Sequence, residues 1–449
     1  MRSDSNAPVV ILGAGLAGLS TAFHLARKRY VLVEREQRVG GHARSHRQAG
    51  YTFDITGHWL HLRDERVRQL FASVCDPAAW LEIERRTCVY SHGVLLPYPF
   101  QANLYGLPLD VVRECLVGFV EAREAAARDS LASPRTFEQF AMARFGRGIT
   151  RHFFVPYNKK LWGVHPNLLT PAWVSRYIPI PDVDQIIGGA IGLAQEGLGY
   201  NTKFLYPKSG GIDQLPEAIL RELDTRNQQG GQGGQGGQSE VHTSTDVDEI
   251  DPVGRRIKLS DARDWRAYDR LVATIPLPEL VRVIASPPRD VVEAVARLRW
   301  VKWRYLDVAT REPPTAGYHW VYVPEPQYPF FRVGVYSNAV ATMAPPLHGS
   351  LYVELSDRSH PPQVPEILQA LVSIRAIPSV ESVVFTAQRD LEYAYVLFDD
   401  AYETATSTIF AWLHSLGIHS CGRYGAWIYN SMEDSMIAGM EAAAWAEAR

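Results

Sequence analysis

Short runs that are apolar at every position alternate along this chain with stretches where apolar residues recur every third or fourth place. Val9 to Leu12 is the first such run, and a segment apolar on both faces reads as a strand buried in a parallel sheet. Leu16, Leu19 and Phe23 follow at helical spacing, Arg27-Lys28-Arg29 suit a helix C-terminus, and Tyr30 to Val33 reads as a second strand. Residues 9–33 therefore predict a βαβ unit. Asp110 to Ala127 predicts a helix with Val112, Cys115, Leu116 and Phe119 on one side. A second helix opens at Thr136-Phe-Glu-Gln139, a capping-box pattern, and stops near Gly146. Between residues 300 and 338, Trp, Tyr, Val and Phe alternate with polar residues, which predicts strands of a sheet with one exposed face. The last stretch, GRYGAWIYNSMEDSMIAGMEAAAWAEAR, reads as a loop entering an alanine-rich helix.

At 449 residues the chain exceeds the roughly 250–300 residues of a single hydrophobic core, so two or three domains are expected. Forty-six basic against 49 acidic residues leave a formal charge of -3, which argues against a nucleic-acid scaffold or a polybasic membrane binder and for a small partner. Four cysteines, at 75, 88, 115 and 421, form no C-x-x-C pair, so neither a zinc knuckle nor a disulfide framework is expected, and a reducing cytoplasm fits. The apolar run VVILGAGLAGL is glycine-punctuated and follows one basic residue and an aspartate, unlike a signal peptide. No other segment approaches the length of a membrane span. The tract Gln228 to Gln238 offers no apolar side chain to bury and reads as a flexible loop that tolerates deletion.

Gly13-Ala-Gly15-Leu-Ala-Gly18 lies between the first strand and its helix. Such glycines permit a tight turn and close approach of a pyrophosphate to the helix N-terminus, where free N–H groups and the dipole favour anions. Glu34, 21 residues after Gly13, ends the second strand, placed to accept hydrogen bonds from a ribose diol. A glycine turn that only packs helix on strand is the alternative. The strand before, the helix after and the acid at this distance favour a dinucleotide. Beyond Glu34 come Gly40-Gly41-His42-Ala43-Arg44, a pattern that resembles the second phosphate-contacting loop of the large FAD-dependent family that includes amine oxidases. The resemblance implies FAD rather than NAD, with Gly40 and Gly41 admitting the flavin's pyrophosphate or ribityl chain and Arg44 adding charge. A solvated basic loop is the other reading.

Further blocks resemble one family, the UDP-galactopyranose mutases, and its eukaryotic-like branch in particular. They are Thr56-Gly57-His58, Tyr98-Pro99-Phe100-Gln101-Ala102-Asn103, Pro156-Tyr157-Asn158-Lys159-Lys160-Leu161-Trp162, Pro329-Phe330-Phe331-Arg332 with Ser337-Asn338, and Gly422-Arg423-Tyr424-Gly425-Ala426-Trp427-Ile428-Tyr429. The resemblance implies that reduced FAD attacks the anomeric carbon through N5, displaces the nucleoside diphosphate and holds the sugar while its ring opens and recloses. It implies Arg332 and Arg423 as diphosphate clamps, a task suited to a planar fork of donors that stays charged. Tyr322, Tyr395 and Tyr429 match tyrosines at the diphosphate, and Tyr98 and Gln101 match residues near the base. His58, on the turn loosened by Gly57, matches a histidine against the flavin, and Met432, Asp434 and Ser435 open the helix whose N-terminus meets the flavin's edge. Asn158 and Trp162, four apart, would share one helix face toward sugar or nucleotide, with Pro156 allowed at that helix's start; a helix joint with Trp162 in the core is the alternative.

The sequence departs from the family in places. Arg176 follows Ala172-Trp173 one position early for the family's further arginine, and Tyr177 stands where it belongs. Ala339 replaces a tyrosine, Ser431-Met-Glu-Asp-Ser435 replaces Gly-Asn-x-Asp-His-Ser, and His61 replaces an aromatic residue.

The expectation is an α/β (α+β) chain: a discontinuous Rossmann-like FAD-binding domain over 1–60, 205–285 and 380–449, a helical domain over 105–200, and an antiparallel substrate-side sheet over 61–104 and 286–379. Its implied activity is interconversion of NDP-hexopyranose and NDP-hexofuranose, with UDP-galactose as default and a GDP-hexose as alternative. An external reductant, NAD(P)H or a reductase, is implied, and homo-oligomerisation is left open. An FAD amine oxidase or desaturase and a flavin-free nucleotide-sugar binding protein are the rival readings.

Overall fold

Val9–Leu12 is buried throughout and lies at the centre of a five-stranded parallel sheet ordered Ile418–Ser420, Arg270–Ala273, Val9–Leu12, Tyr30–Val33, Glu240–His242. The computed structural model describes residues 7–26, 28–128, 133–174, 178–193, 198, 202–230, 239–355 and 362–448. Val9 and Ile11 enter one core while Val10 and Leu12 enter another, which is why the strand is apolar at every position. Each such side chain taken from water stabilises by about 1.5–3 kcal/mol. Helix Leu16–His24 packs on Met432–Glu447, so the end of the chain covers its beginning. Gly439 permits that contact, because a Cβ there would lie 2.3 Å from the Ala17 carbonyl oxygen.

A seven-stranded sheet runs in the order Val383–Val396, Trp300–Thr310, Gly349–Leu355, Phe330–Val335, Trp320–Tyr322, Thr87–Ser91, Val94–Pro97. Its pairs are antiparallel except where Trp320–Tyr322 meets Thr87–Ser91. The predicted exposed face is confined to the start of Trp300–Thr310; from Tyr305 onward, and along Gly349–Leu355, both faces are buried. One face packs Leu306, Val333 and Val353 on helix Val364–Ser373, and the other presents Trp303, Phe331 and Tyr352 to the rest of the molecule. Alternation in sequence therefore marks two unlike buried surfaces here. Strand Val383–Val396 pairs with Trp300–Thr310, so the first part of the stretch 380–449 joins this sheet and not the parallel one.

The helical insertion comprises Leu109–Arg128, Phe137–Ile149, a π-turn at Thr150–Phe154 and Val155–Trp162. Thr136 caps the second helix through a full capping box. The first segment of that helix ends at Gly146, as expected: the backbone there is non-helical, with φ +76, and a second helical segment follows across the kink. Gly146 lies against Gly118, where a Cβ would come 2.0 Å from the carbonyl oxygen. The glutamine-glycine tract begins on helix Gln214–Gly230, and its residues 231–238 lie outside the described residues. Among the described residues no helix is long and apolar enough to cross a membrane, and all four cysteines are free.

Candidate active site

The C-terminal ends of four parallel strands, the inner face of the second sheet and the start of the last helix enclose a cavity of about 510 Å³. This is where an open parallel sheet leaves room for a ligand. Gly13, at φ +92, makes the turn out of the first strand, and a Cβ on Gly18 would lie 1.9 Å from the Gly13 carbonyl oxygen. Gly18 does not line the cavity; it lets helix Leu16–His24 approach the strand so that its N-terminal N–H groups face inward. Gly15 bridges to Gly40, and a Cβ on Gly41 would come 3.3 Å from the Gly15 Cα, so two glycine loops share one bare backbone floor. Glu34 Oε2 accepts the Ala14 N–H at 2.7 Å and Oε1 accepts the Glu36 N–H at 3.0 Å, which fixes the carboxylate beside this floor. Arg44 lines the same region, 3.5 Å from Glu36. A glycine-lined cradle with an oriented acid at its end fits the diphosphate and ribose of FAD.

Gly57 and His58 lie farther along the cavity. A Cβ on Gly57 would meet the Tyr352 hydroxyl at 2.2 Å, so only glycine allows that tyrosine to back the turn. Burial, then the charge of Arg423, lowers the His58 pKa to about 4, leaving the ring neutral. The carbonyls of Ile55 and Thr56 face that ring, yet Nδ1 makes no hydrogen bond of normal geometry. The last helix, Met432–Glu447, starts at the cavity wall: Met432 and Ser435 line it. Asp434 does not, because its carboxylate accepts the Ser431 N–H at 2.8 Å in a capping box.

Arg332 and Arg423 both reach the cavity, and their surroundings differ. Arg332 is matched by fully buried Glu354, so its charge is compensated. Arg423 donates Nη1 to the Asn430 carbonyl at 2.6 Å and Nη2 to the Ala394 carbonyl at 3.2 Å, neutral partners that orient the guanidinium without cancelling it. Its carbon sits 4.7, 5.6 and 5.0 Å from the ring centres of Tyr395, Tyr424 and Tyr429. Tyr395 and Tyr429 stack at 5.2 Å, and the Tyr429 phenol lies within electrostatic reach of both arginines. Cation–π contacts of this kind hold a guanidinium in place while its edge stays available to an anion.

Tyr98 and Tyr322 line another part of the wall, ring centres 5.4 Å apart, with the Arg85 guanidinium 5.1 Å over Tyr98. Gln101, Asn158 and Trp162 do not line the cavity. Gln101 is buried and donates to the Pro179 carbonyl at 2.8 Å. Asn158 and Trp162 do share a helix face, but it turns into the core: the indole N–H donates to the Asn158 side-chain Oδ1 at 3.0 Å, and the Asn158 Nδ2 donates to the Phe154 backbone carbonyl. Trp162 stands behind Tyr395, ring centres 5.4 Å apart. Arg176 and Tyr177 lie outside the described residues. His61 lines the cavity and is held neutral, its pKa lowered to about 4 by burial, with Nδ1 on the Lys203 carbonyl at 2.8 Å. The sequence reading gave no role to Arg85, His42 or Trp303, which also line the cavity, nor to Glu354 behind Arg332. Only His42, inside the second glycine loop, carried a local signal.

The family model of flavin containing amine oxidoreductases matches residues 16–328. Among curated proteins, the probable UDP-galactopyranose mutase of Klebsiella pneumoniae is 25% identical over 182 residues, 39% of this chain and 46% of that one. The dTDP-fucopyranose mutase of Escherichia coli is 23% identical over 185 residues, 38% of this chain and 46% of that one. The chain thus spans about half the length of the curated relatives it matches. Among solved structures, a reduced UDP-galactopyranose mutase superposes with a TM-score of 0.88 at 25% identity, covering 97% of this chain and 93% of that one. Cyclohexylamine oxidase from Brevibacterium oxydans IH-35A shares the fold at a TM-score of 0.66 and 17% identity, covering 98% and 99%. With the glycine cradle and the oriented Glu34, these matches make FAD the cofactor of the cavity, and they show that the chain belongs to the flavin-containing amine oxidoreductase family.

Proposed function

We propose that this chain is a flavin-dependent nucleotide-sugar mutase that interconverts the pyranose and furanose forms of an NDP-hexose, with UDP-galactopyranose and UDP-galactofuranose as the first pair to test. The observation that carries the reading is Arg423: a half-buried guanidinium oriented by carbonyls, charge uncancelled, on the same cavity as the FAD cradle. Oxidation of an amine has no use for such a group, whereas a diphosphate that leaves a sugar and must return to it does.

Gly13, Gly15, Gly40, Gly41 and Glu34 would hold FAD, which in its reduced form would supply a nucleophilic nitrogen, N5, toward the anomeric carbon. Arg423 and the free Nη1 edge of Arg332 grip the diphosphate before and after it departs, and both stay cationic throughout. Tyr322, Tyr395 and Tyr429 donate phenol hydrogens to phosphate oxygens while their rings exclude water from the wall. His58, neutral beside the turn at Gly57, offers a ring nitrogen to the flavin without placing a second positive charge next to Arg423. Tyr98, with Arg85 above it, is the platform for the base. The relatives act on a UDP-sugar and a dTDP-sugar by name, so the base and the hexose stay part of the test. Electrons come from NAD(P)H or a reductase.

Purified holoprotein reduced with dithionite and incubated with UDP-galactose, dTDP-fucose and GDP-hexoses tests the reading. A furanose product from one of them is expected. Absence of any furanose across the panel, together with peroxide formation from amines, overturns it in favour of an amine oxidase.

A further inference from the structure

His42 follows directly on the second glycine loop, and its ring lines the cavity. Its Nδ1 is 3.2 Å from the Tyr424 hydroxyl, and the two rings meet edge to face at 5.3 Å. The Tyr424 hydroxyl also donates to the Ala394 carbonyl at 3.1 Å, the same oxygen that accepts Nη2 of Arg423. A phenol has one hydrogen. While that hydrogen is on Ala394, the Tyr424 oxygen has only lone pairs to offer His42, so Nδ1 is the atom that donates there. Nε2 is then left to the opposite side.

The groups facing this imidazole are mostly cationic: Arg423, Arg44, Arg35 and the neutral His58, with Glu36 beside Arg44 and Glu279 beside Arg35. Burial first, then these neighbours, lowers the His42 pKa to about 3, so the protein alone holds it neutral. Burial does most to keep the proton off and the surplus of positive charge adds to it; a diphosphate entering among these groups would offset that surplus and favour the protonated ring.

We propose that His42 is an anion-responsive proton acceptor: it takes one proton from solvent as a diphosphate binds beside it, donating Nε2–H to the anion and Nδ1–H to the Tyr424 oxygen. Tyr424 is its positioning residue, and through the Ala394 carbonyl it ties His42 to the clamp at Arg423. The diphosphate has two sources. The Gly41–Gly15 contact puts His42 near the cofactor's, and Arg423 puts it near the substrate's. The inference rests on the proposed function only in its second source.

Calorimetric titration at pH 6 in two buffers of different ionisation enthalpy counts the protons taken up. FAD is titrated into the apoprotein, and UDP into the oxidised holoprotein. Uptake by the wild type should exceed that of His42→Asn by close to one proton in one of the two arms, which names the source. Affinity in that arm should fall by up to about tenfold per pH unit above the free-state pKa until the raised pKa is passed, and His42→Asn should lose that part of the dependence. Tyr424→Phe, which keeps the ring and removes the oxygen, should reduce the uptake. Equal uptake by wild type and His42→Asn in both arms overturns the proposal. Uptake in the FAD arm with no UDP binding at all retains it and removes the mutase reading instead.

Discussion

Arg332 Nε and Nη2 lie 2.5 and 2.6 Å from the two carboxylate oxygens of Glu354, and the two residues face each other directly across neighbouring antiparallel strands. Glu354 thereby holds one edge of the guanidinium and leaves Nη1 for the cavity. Of the two arginines, Arg332 is the positioned donor and Arg423 the net positive charge.

Removing Arg332 should expose the cost of its partner. Burial pushes the Glu354 carboxyl up while Arg332 opposes that shift. In Arg332→Ala the upward push of burial is opposed only by the smaller effect of Thr56, so the native state binds a proton more tightly than the unfolded chain does, and stability falls as pH rises. The variant should lose about 3–5 kcal/mol at pH 8 and clearly less at pH 5, read by urea unfolding at both. An equal loss at both values contradicts this.

A methyl group at Gly18 has nowhere to go. Its Cβ would lie 1.9 Å from the Gly13 carbonyl oxygen, which is backbone and cannot swing aside. Gly18→Ala should shift the helix off the pyrophosphate floor, lower stability by at least about 1–3 kcal/mol and yield colourless protein after gel filtration. Retention of stoichiometric FAD, read from the visible spectrum, is the opposing result.

The glycine loops and Glu34 are legible as a local strand-turn-helix pattern, and both arginines through the family blocks that contain them; the structure brings all of these elements to one cavity. Glu354 was not, since its pairing with Arg332 needs the strand register. Asn158 and Trp162 show a finer limit: spacing of four placed them on one helix face, but nothing local says whether that face meets ligand or core, and here it meets core. Strand Val383–Val396 shows a related limit: the first βαβ unit needs further strands, which points the whole stretch 380–449 to the parallel sheet, but that need does not say which part of the stretch supplies them, and this strand joins the other sheet. Gly146 is legible as a helix end, since its φ of +76 favours glycine; that a second helical segment follows across a kink packed on Gly118 is not.

Asp54 should shape the protein's pH-stability curve. Its pKa is raised to about 7 by burial, against the hydroxyls of Ser45 and Tyr206 and the Ile212 N–H, from an ordinary 3.8. The folded value is above the unfolded one, so this group's contribution is most favourable at low pH and is lost as pH rises from about 4 to about 7. Asp54→Asn should flatten that part of the curve, measured by thermal unfolding across the range. An unchanged slope counts against it.

Direct titration of UDP into oxidised holoprotein, for wild type, Arg332→Ala and Arg423→Ala, tests the central claim most plainly. Charge-assisted hydrogen bonds of about 1.5–3 kcal/mol predict weakening on the order of 10- to 150-fold in Arg423→Ala, with a shallower salt dependence, and a smaller loss in Arg332→Ala. Wild-type affinity in both variants would contradict a diphosphate held by these two guanidiniums.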